Sequence, residues 1–480
     1  MSALPPTAEE NSSVARVPAT AVIVSLLVFD FVNGIMQGEV TPLLPDIRAQ
    51  LQTGTADLNW IVSVELLAAA ISVPVFGRLG DLYGHRRMLR IAIVGLAVGS
   101  ILVTVAPSMP IMLAGRVLQG TESALAVLVI ALCRDLLPVE RSRTAIAWIA
   151  GALPAGILVG ALLVGGLSKS VHSVHWVLAV PTVLAVLCIP LSYTRVLPWS
   201  PPRGSGRMDW VGAAGLAVSM AAVLLGVSAA ERHGWGSGRT IVPIVLGLLA
   251  LAGWALFERR VRQPLVDLTE LLDRRMLPVL GCTFIFGVFY FGNQAADATF
   301  LSSHARITGY GFGFDAMGIS LLSIPLVGAA VLAALLTTRV AARLGGFQRA
   351  TTLGFVLVGV GYVLVAGYHG AVWIFVVSHL IAGFGGGLAV AAMPVLVAEA
   401  TRPERIGVAI GLYTNSRAIG GAVGAAAAAS VLSAIQLPGI ATAHARQPVP
   451  SEHAYVVLWS IIAVITFLGA GIAASTRRTD

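Results

Sequence analysis

Seven ionisable side chains stand inside strongly apolar stretches of this 480-residue chain: Asp30, Glu39, Glu65, Glu122, Asp297, Arg116 and Arg417. At the centre of a bilayer such a group costs about 2.5–3.5 kcal/mol on insertion scales, so each marks a functional site by default. Two chemistries suit these residue types. A carboxyl group beside an apolar cavity can take up and release a proton. A carboxylate beside a guanidinium forms a pair in which each partner relieves the burial of the other.

The elements that would hold these groups are membrane helices. The chain is 57% hydrophobic and only 11% charged, whereas a soluble domain is about 45–50% apolar and about 25% charged. A helix needs about 20 apolar residues to cross about 30 Å of hydrocarbon. Fourteen such segments begin near Thr20, Leu58, Met88, Met109, Thr144, His175, Asp209, Thr240, Met276, Asp315, Thr351, Ala371, Ile406 and Tyr455. The first is too long for a signal peptide and lacks a small-residue cleavage site, so it is expected to be retained. The predicted fold class is an all-α polytopic membrane protein with fourteen transmembrane helices.

Orientation follows from the basic residues. With the N-terminus in the cytoplasm, 23 of the 31 Lys and Arg residues fall in cytoplasmic segments and six outside, with Arg116 and Arg417 within spans. That asymmetry satisfies the positive-inside rule and predicts cytoplasmic termini. The net charge of +8 therefore serves topology, and no nucleic-acid partner is expected. Cys133, Cys188 and Cys282 offer neither a disulfide framework nor a zinc spacing, and no metal or cofactor is expected. The nine His residues lie mostly in loops, which excludes the clustered sites of an integral membrane enzyme.

Depth sorts the buried charges. Glu39 lies about 12 Å below the outer end of the first span, and Glu65 and Arg116 lie about 10.5 Å below the same face. Arg116 can pair with Glu39 or with Glu65, and a purely structural ion pair is the alternative role. Asp30 lies deeper, and Asn33, Gln37 and Thr41 follow it along one helical face. Glu39 is about 180° around the helix from Asp30. Asp30 is thus the first choice as proton carrier. In "FIFGVFYFGNQAADATF" (Phe284 to Phe300), aromatic residues combine with Asn293, Gln294 and Asp297. Aromatic faces beside one acid suit a lipophilic cation, and a plain packing stripe is the alternative.

Charge also concentrates in "GRLGDLYGHRR" (Gly77 to Arg87), between the second and third spans. This stretch resembles the loop motif of the major facilitator superfamily through Gly77, Asp81, Gly84, Arg86 and Arg87. Leu82 and His85 stand where that family usually has basic residues. "GRVLQG" (Gly115 to Gly120) resembles its fourth-helix motif, in which Glu122 occupies a position expected to be Gly. "DWVGAAGLAVSMAAVLLGVSAAERHGWGS" (Asp209 to Ser237), "PLVDLTELLDRR" (Pro264 to Arg275) and "NSRAIGGAVG" (Asn415 to Gly424) resemble the fourteen-helix drug:proton antiporter branch. "GILVGALLVGG" (Gly156 to Gly166) departs from the antiporter fifth helix, with Ala161 in place of Pro and Pro154 nearby.

The resemblance implies a major facilitator fold: tails at 1–19 and 476–480, six-helix halves at 20–200 and 263–475, and two extra helices at 201–262. It implies proton-coupled efflux of a small hydrophobic, drug-like compound across a bacterial cell membrane by a monomer. Transport of one physiological metabolite is the alternative. In that family the Gly77–Arg87 loop latches the two halves together in the outward-facing state. Asp81→Asn removes charge but little volume, so the variant is expected to insert normally and lose most transport, as flux into vesicles at matched abundance would measure.

Overall fold

The computed structural model describes residues 18–171, 173–194, 196–198, 207–233, 236–261, 275–401, 406–437 and 449–475. Nearly all of them are helical. The first half comprises α1 (Ala19–Glu39), α2 (Thr55–Tyr83), α3 (His85–Thr104), α4, α5 (Val139–Ser170) and α6 (Val174–Tyr193). Two central helices follow, α7 (Trp210–His233) and α8 (Gly238–Glu258). The second half comprises α9, α10 (Ala316–Leu344), α11 (Phe347–Gly367), α12 (Val372–Ala400), α13 (Ile406–Ala434) and α14 (Glu452–Ser475). Helix α4 is broken into Met109–Gln119 and Glu122–Leu136, and α9 into Met276–Gly292 and Gln294–Ser302.

Among the described residues, thirteen of these are long and apolar enough to cross a membrane. Helix α7 is the fourteenth, with a shorter described apolar run, Trp210–Gly226. The chain is a multi-pass membrane protein whose helix count agrees with the sequence. Residues 1–17 and 476–480 of the expected tails, most of "PLVDLTELLDRR" and the expected boundaries near residues 200 and 262 lie outside the described residues, while α1 already includes Ala19 and α14 ends at Ser475.

Glycines set the closest helix contacts. A Cβ at Gly34 or Gly38 of α1 would collide with the backbone of Leu153 or Ile157 in α5, and one at Gly156 or Gly160 of α5 would collide with Phe31 or Ile35. The second half repeats the device: Gly287 of α9 meets the Arg417 carbonyl of α13, while Gly420 and Gly424 meet those of Phe284 and Val288. Small residues let membrane helices pack by van der Waals contact where no hydrophobic drive is available. These seams are why "GILVGALLVGG" and "NSRAIGGAVG" look as they do.

Between the halves, α2 packs along α13 and α5 along α10. At Ala161, where the antiporter pattern has Pro, the backbone carbonyl accepts a hydrogen bond from Ser320 of α10 at 2.6 Å. Helix α5 continues through Pro154 without a break. Helices α7 and α8 pair through a Trp254 Nε1 bond to the Gly212 carbonyl (2.7 Å), and α7 lies against α13 and α2.

The stretch expected as a loop is shorter than its sequence suggests. Helix α2 runs on through Tyr83 and α3 starts at His85, so the whole reversal falls on Gly84, at φ +92. That left-handed region is costly for any residue with a Cβ. Gly80 makes room for the His85 ring, whereas Gly77 faces open space.

Overpacking a tight seam typically costs about 1–3 kcal/mol. Gly34→Val and Gly420→Val are therefore expected to lower the thermal unfolding midpoint in detergent, while Gly77→Ala leaves it unchanged.

Candidate functional site: a polar cluster and an aromatic cavity at membrane depth

The polar cluster of the first half grows around the break in α4. Arg116 and Gln119 end its first segment and Glu122 opens the second. The buried guanidinium uses all three of its nitrogens. Nε donates to the Ile61 carbonyl of α2 (3.0 Å), Nη1 to Gln119 Oε1 (2.8 Å), and Nη2 meets the Glu65 carboxylate. The Gln119 amide in turn donates to Glu39 Oε1 (3.2 Å) and to Ser100 Oγ of α3 (3.0 Å). Glu65 is thus the ion-pair partner of Arg116. Glu39 shares the depth as expected, but its hydrogen bond is to Gln119, which is bonded in turn to the guanidinium.

Three carboxyl groups, those of Glu39, Glu65 and Glu122, are buried around one guanidinium. Glu39 Oε2 and Glu122 Oε2 have no hydrogen-bond partner among the described residues, and neither has Asp30 Oδ1. A buried polar atom without a partner is costly, and a lone buried charge far more so. Reading the sequence alone misses Gln119 and Ser100. The signal for Gln119 is its place one turn after Arg116 on an otherwise apolar helix.

The second half holds a cavity of about 100 Å³ at the break in α9. Phe289, Tyr290, Tyr362 and Phe375 contribute aromatic walls, and Asp297 and His379 are the acid and the imidazole among the described residues lining it. Asn293 Nδ2 donates to Asp297 Oδ2 (2.5 Å), and His379 Nε2 lies 3.5 Å from the same oxygen. The other imidazole nitrogen, Nδ1, donates to the Phe375 carbonyl (2.7 Å). Nδ1 therefore carries hydrogen, and the Nε2–Asp297 approach is attractive only when the pair holds one further proton. His379 sits in an apolar span, a signal present in the sequence but outweighed by the loop histidines.

The polar stripe of α1 divides. Asp30 and Asn33 are buried and Gln37 is partly exposed. Thr41, the last of the stripe, reaches the cavity and donates to Gln294 Oε1 across the two halves at 3.5 Å. Asp30, Asn33 and Gln37 do not border this cavity. Arg417 stands near Tyr290 and Tyr413 and makes no ion pair among the described residues.

The residues of the expected latch are bonded within the first half. Asp81, with a side chain 49% exposed, faces His85 Nε2 at 3.4 Å, and His85 Nδ1 lies 2.8 Å from Asp135 of α4. Arg86 and Arg90 donate to the Thr194 and Ser192 carbonyls at the end of α6, each at 3.1 Å. Arg87 is exposed.

Helices broken at polar residues, a buried arginine bonded through each of its nitrogens and an aromatic cavity in the second half that Thr41 of the first half reaches are the parts of a membrane transporter. The chain belongs to the Major Facilitator Superfamily, whose family profile matches residues 24–425. It is 28% identical to the "Multidrug resistance protein Stp" of Mycobacterium tuberculosis over 88% of this chain and 77% of that protein. It is 27% identical to the "Puromycin resistance protein pur8" of Streptomyces alboniger over 82% of this chain and 78% of that one. The "Acurin A biosynthesis cluster MFS-type transporter" of Aspergillus aculeatus is 29% identical, but the match spans 54% of this chain and about half (48%) of that protein. Among solved structures, a peptide transporter POT in complex with sulfate superposes with a TM-score of 0.70 at 14% identity, covering 97% of each chain. The nucleoside transporter NupG gives 0.62 at 14% identity, covering 96% of this chain and 100% of that one. These two share the fold.

Removing one partner of a buried ion pair costs about 3–5 kcal/mol. Arg116→Ala is expected to abolish transport and lower the unfolding midpoint in detergent. Arg116→Lys should restore little, because an ammonium cannot reproduce the three directed contacts to Ile61, Gln119 and Glu65.

Proposed function

We propose that this protein exports small hydrophobic, drug-like compounds from the cell in exchange for protons. The observation that carries the proposal is the surplus of buried carboxyl groups over Arg116, with bare oxygens on Asp30, Glu39 and Glu122. A proton is the smallest ligand that can satisfy such an oxygen and leave it again. The two multidrug and puromycin resistance relatives support the substrate class. The Asp297–His379 cavity, walled by aromatic rings, suits an organic cation, held by ring faces and one carboxylate. A cation held by that carboxylate and a proton taken up at another buried acid then exchange through linkage, each weakening the binding of the other. In this proposal the face carrying Gly77–Arg87 is cytoplasmic, the protein works as a monomer in a bacterial cell membrane, and Asp81 with its neighbours closes that face during the cycle.

Asp30 is the first candidate for the coupled proton, since Glu39 is hydrogen-bonded by Gln119 in the Arg116 network. A panel of hydrophobic cations and neutral compounds in sealed vesicles, with and without a pH gradient, tests the function. Gradient-driven uptake into inside-out vesicles is expected for the wild type. Asp30→Asn is expected to bind substrate and to lose that drive, while Glu39→Gln keeps coupling in whatever flux remains. Coupled transport by Asp30→Asn with none by Glu39→Gln would make Glu39 the carrier. Flux that ignores the gradient in the wild type would reject exchange altogether.

A further inference from the structure

At the rim of α3, beside the end of α6, lies a surface recess of about 640 Å³ lined by Arg86, Arg87, Arg90, Tyr83, Tyr193 and the apolar pair Ile91 and Val94. Three guanidiniums share it. Arg86 and Arg90 stand one helical turn apart and close enough to repel each other, and their partners there are neutral: the Thr194 and Ser192 carbonyls, and the Tyr193 ring 4.2 Å from the Arg90 carbon. None of the three makes an ion pair with an acid among the described residues, and Arg86 Nε is buried without a partner. The carbonyl bonds fix two of the guanidiniums in place, and exposed Arg87 adds a third. Like charges held together without a counter-ion create a demand for an anion.

What lies below the recess identifies the anion's carrier. Ile91, Val94, Val98 and Ile101 are 48%, 39%, 43% and 44% exposed and succeed one another along one face of α3. That stripe starts in the basic recess and runs down the span toward the opposite membrane face. Tyr83 and Tyr193 are also exposed at its head, as aromatic residues are where a span meets the headgroup layer. A basic head, an aromatic rim and an apolar tail match one molecule of the bilayer. We infer that Arg86, Arg87 and Arg90 form a binding site for the phosphate of an anionic phospholipid, whose acyl chain lies along Ile91, Val94, Val98 and Ile101. A basic pocket between membrane helices is a suitable headgroup site. The lipid would join α3 to the end of α6 and thereby brace the helix that begins at the Gly84 turn.

Native mass spectrometry of the detergent-purified protein, titrated with phosphatidylglycerol or phosphatidylcholine, tests the site. The wild type is expected to retain one phosphatidylglycerol at least about tenfold more tightly than phosphatidylcholine. Arg87→Glu leaves both carbonyl bonds intact and should abolish most of that preference, as should the triple change Arg86→Gln, Arg87→Gln, Arg90→Gln. If the triple variant does not fold, Arg87→Glu alone decides. Val94→Asp should weaken retention through the tail. Equal retention of the two lipids, or unchanged preference in Arg87→Glu, would overturn the site. Displacement of the bound lipid by millimolar inorganic phosphate would show a plain anion site and overturn the lipid assignment.

Discussion

A guanidinium in hydrocarbon must have its hydrogen bonds supplied by protein, and Arg116 is where the first half of this transporter meets that demand. Its contacts draw on α2 twice, through Ile61 and Glu65, and on α4 itself through Gln119. Gln119 then ties in α1 through Glu39 and α3 through Ser100. Four helices are thereby fixed to one another by a single cation and a single amide. Any motion that separates them must break bonds that the surrounding hydrocarbon cannot replace. A movement that carried the first half as a unit would leave all of these bonds in place.

The two halves use the same packing device and different chemistry. Helix α1 is seated on α5, and α9 on α13, through glycines that bring backbones together. In the first half the chemistry is carboxylates around an arginine, sealed from view. In the second it is an Asp297–His379 pair on the wall of an aromatic cavity. Each site stands at a broken helix, α4 or α9, where the interruption turns polar side chains inward. Thr41 and Gln294 connect the halves beside that cavity, so a ligand or proton at Asp297 sits one helical turn from an inter-half contact. A site so placed can bias how the halves meet, because its occupancy and the contact share one short helix.

The face carrying Gly77–Arg87 is free of such constraint in this conformation. Asp81 answers to His85, and His85 to Asp135, all within the first half. Arg86 and Arg90 brace α3 against α6. These bonds leave Asp81 half-exposed and Gly77 facing open space.

Sequence alone determined the membrane class, the number of spans and which apolar stretches carry charge. Of the seven charges it marked, Asp30, Glu39, Glu65, Arg116 and Glu122 are buried, Asp297 and Arg417 are partly exposed, and buried Glu258 was not marked. Apolar length and charge scarcity are local quantities, and a bilayer imposes one answer on them. It also placed Arg116, Glu39 and Glu65 at one depth, because rise per residue is fixed in a helix. Which acid pairs with Arg116 was decided by rotation and neighbours: Glu65 faces the guanidinium, while Gln119 takes Glu39. Helical periodicity gives the face a residue occupies on its own helix, but the partner facing it depends on how helices are seated, here by glycine seams formed between segments more than a hundred residues apart. For the same reason the Asp30 stripe looked like cavity lining, yet only Thr41 of that stripe reaches the aromatic cavity. His379 escaped notice because a lone imidazole in an apolar span acquires meaning only when Asp297, 82 positions earlier in the sequence, is folded against it.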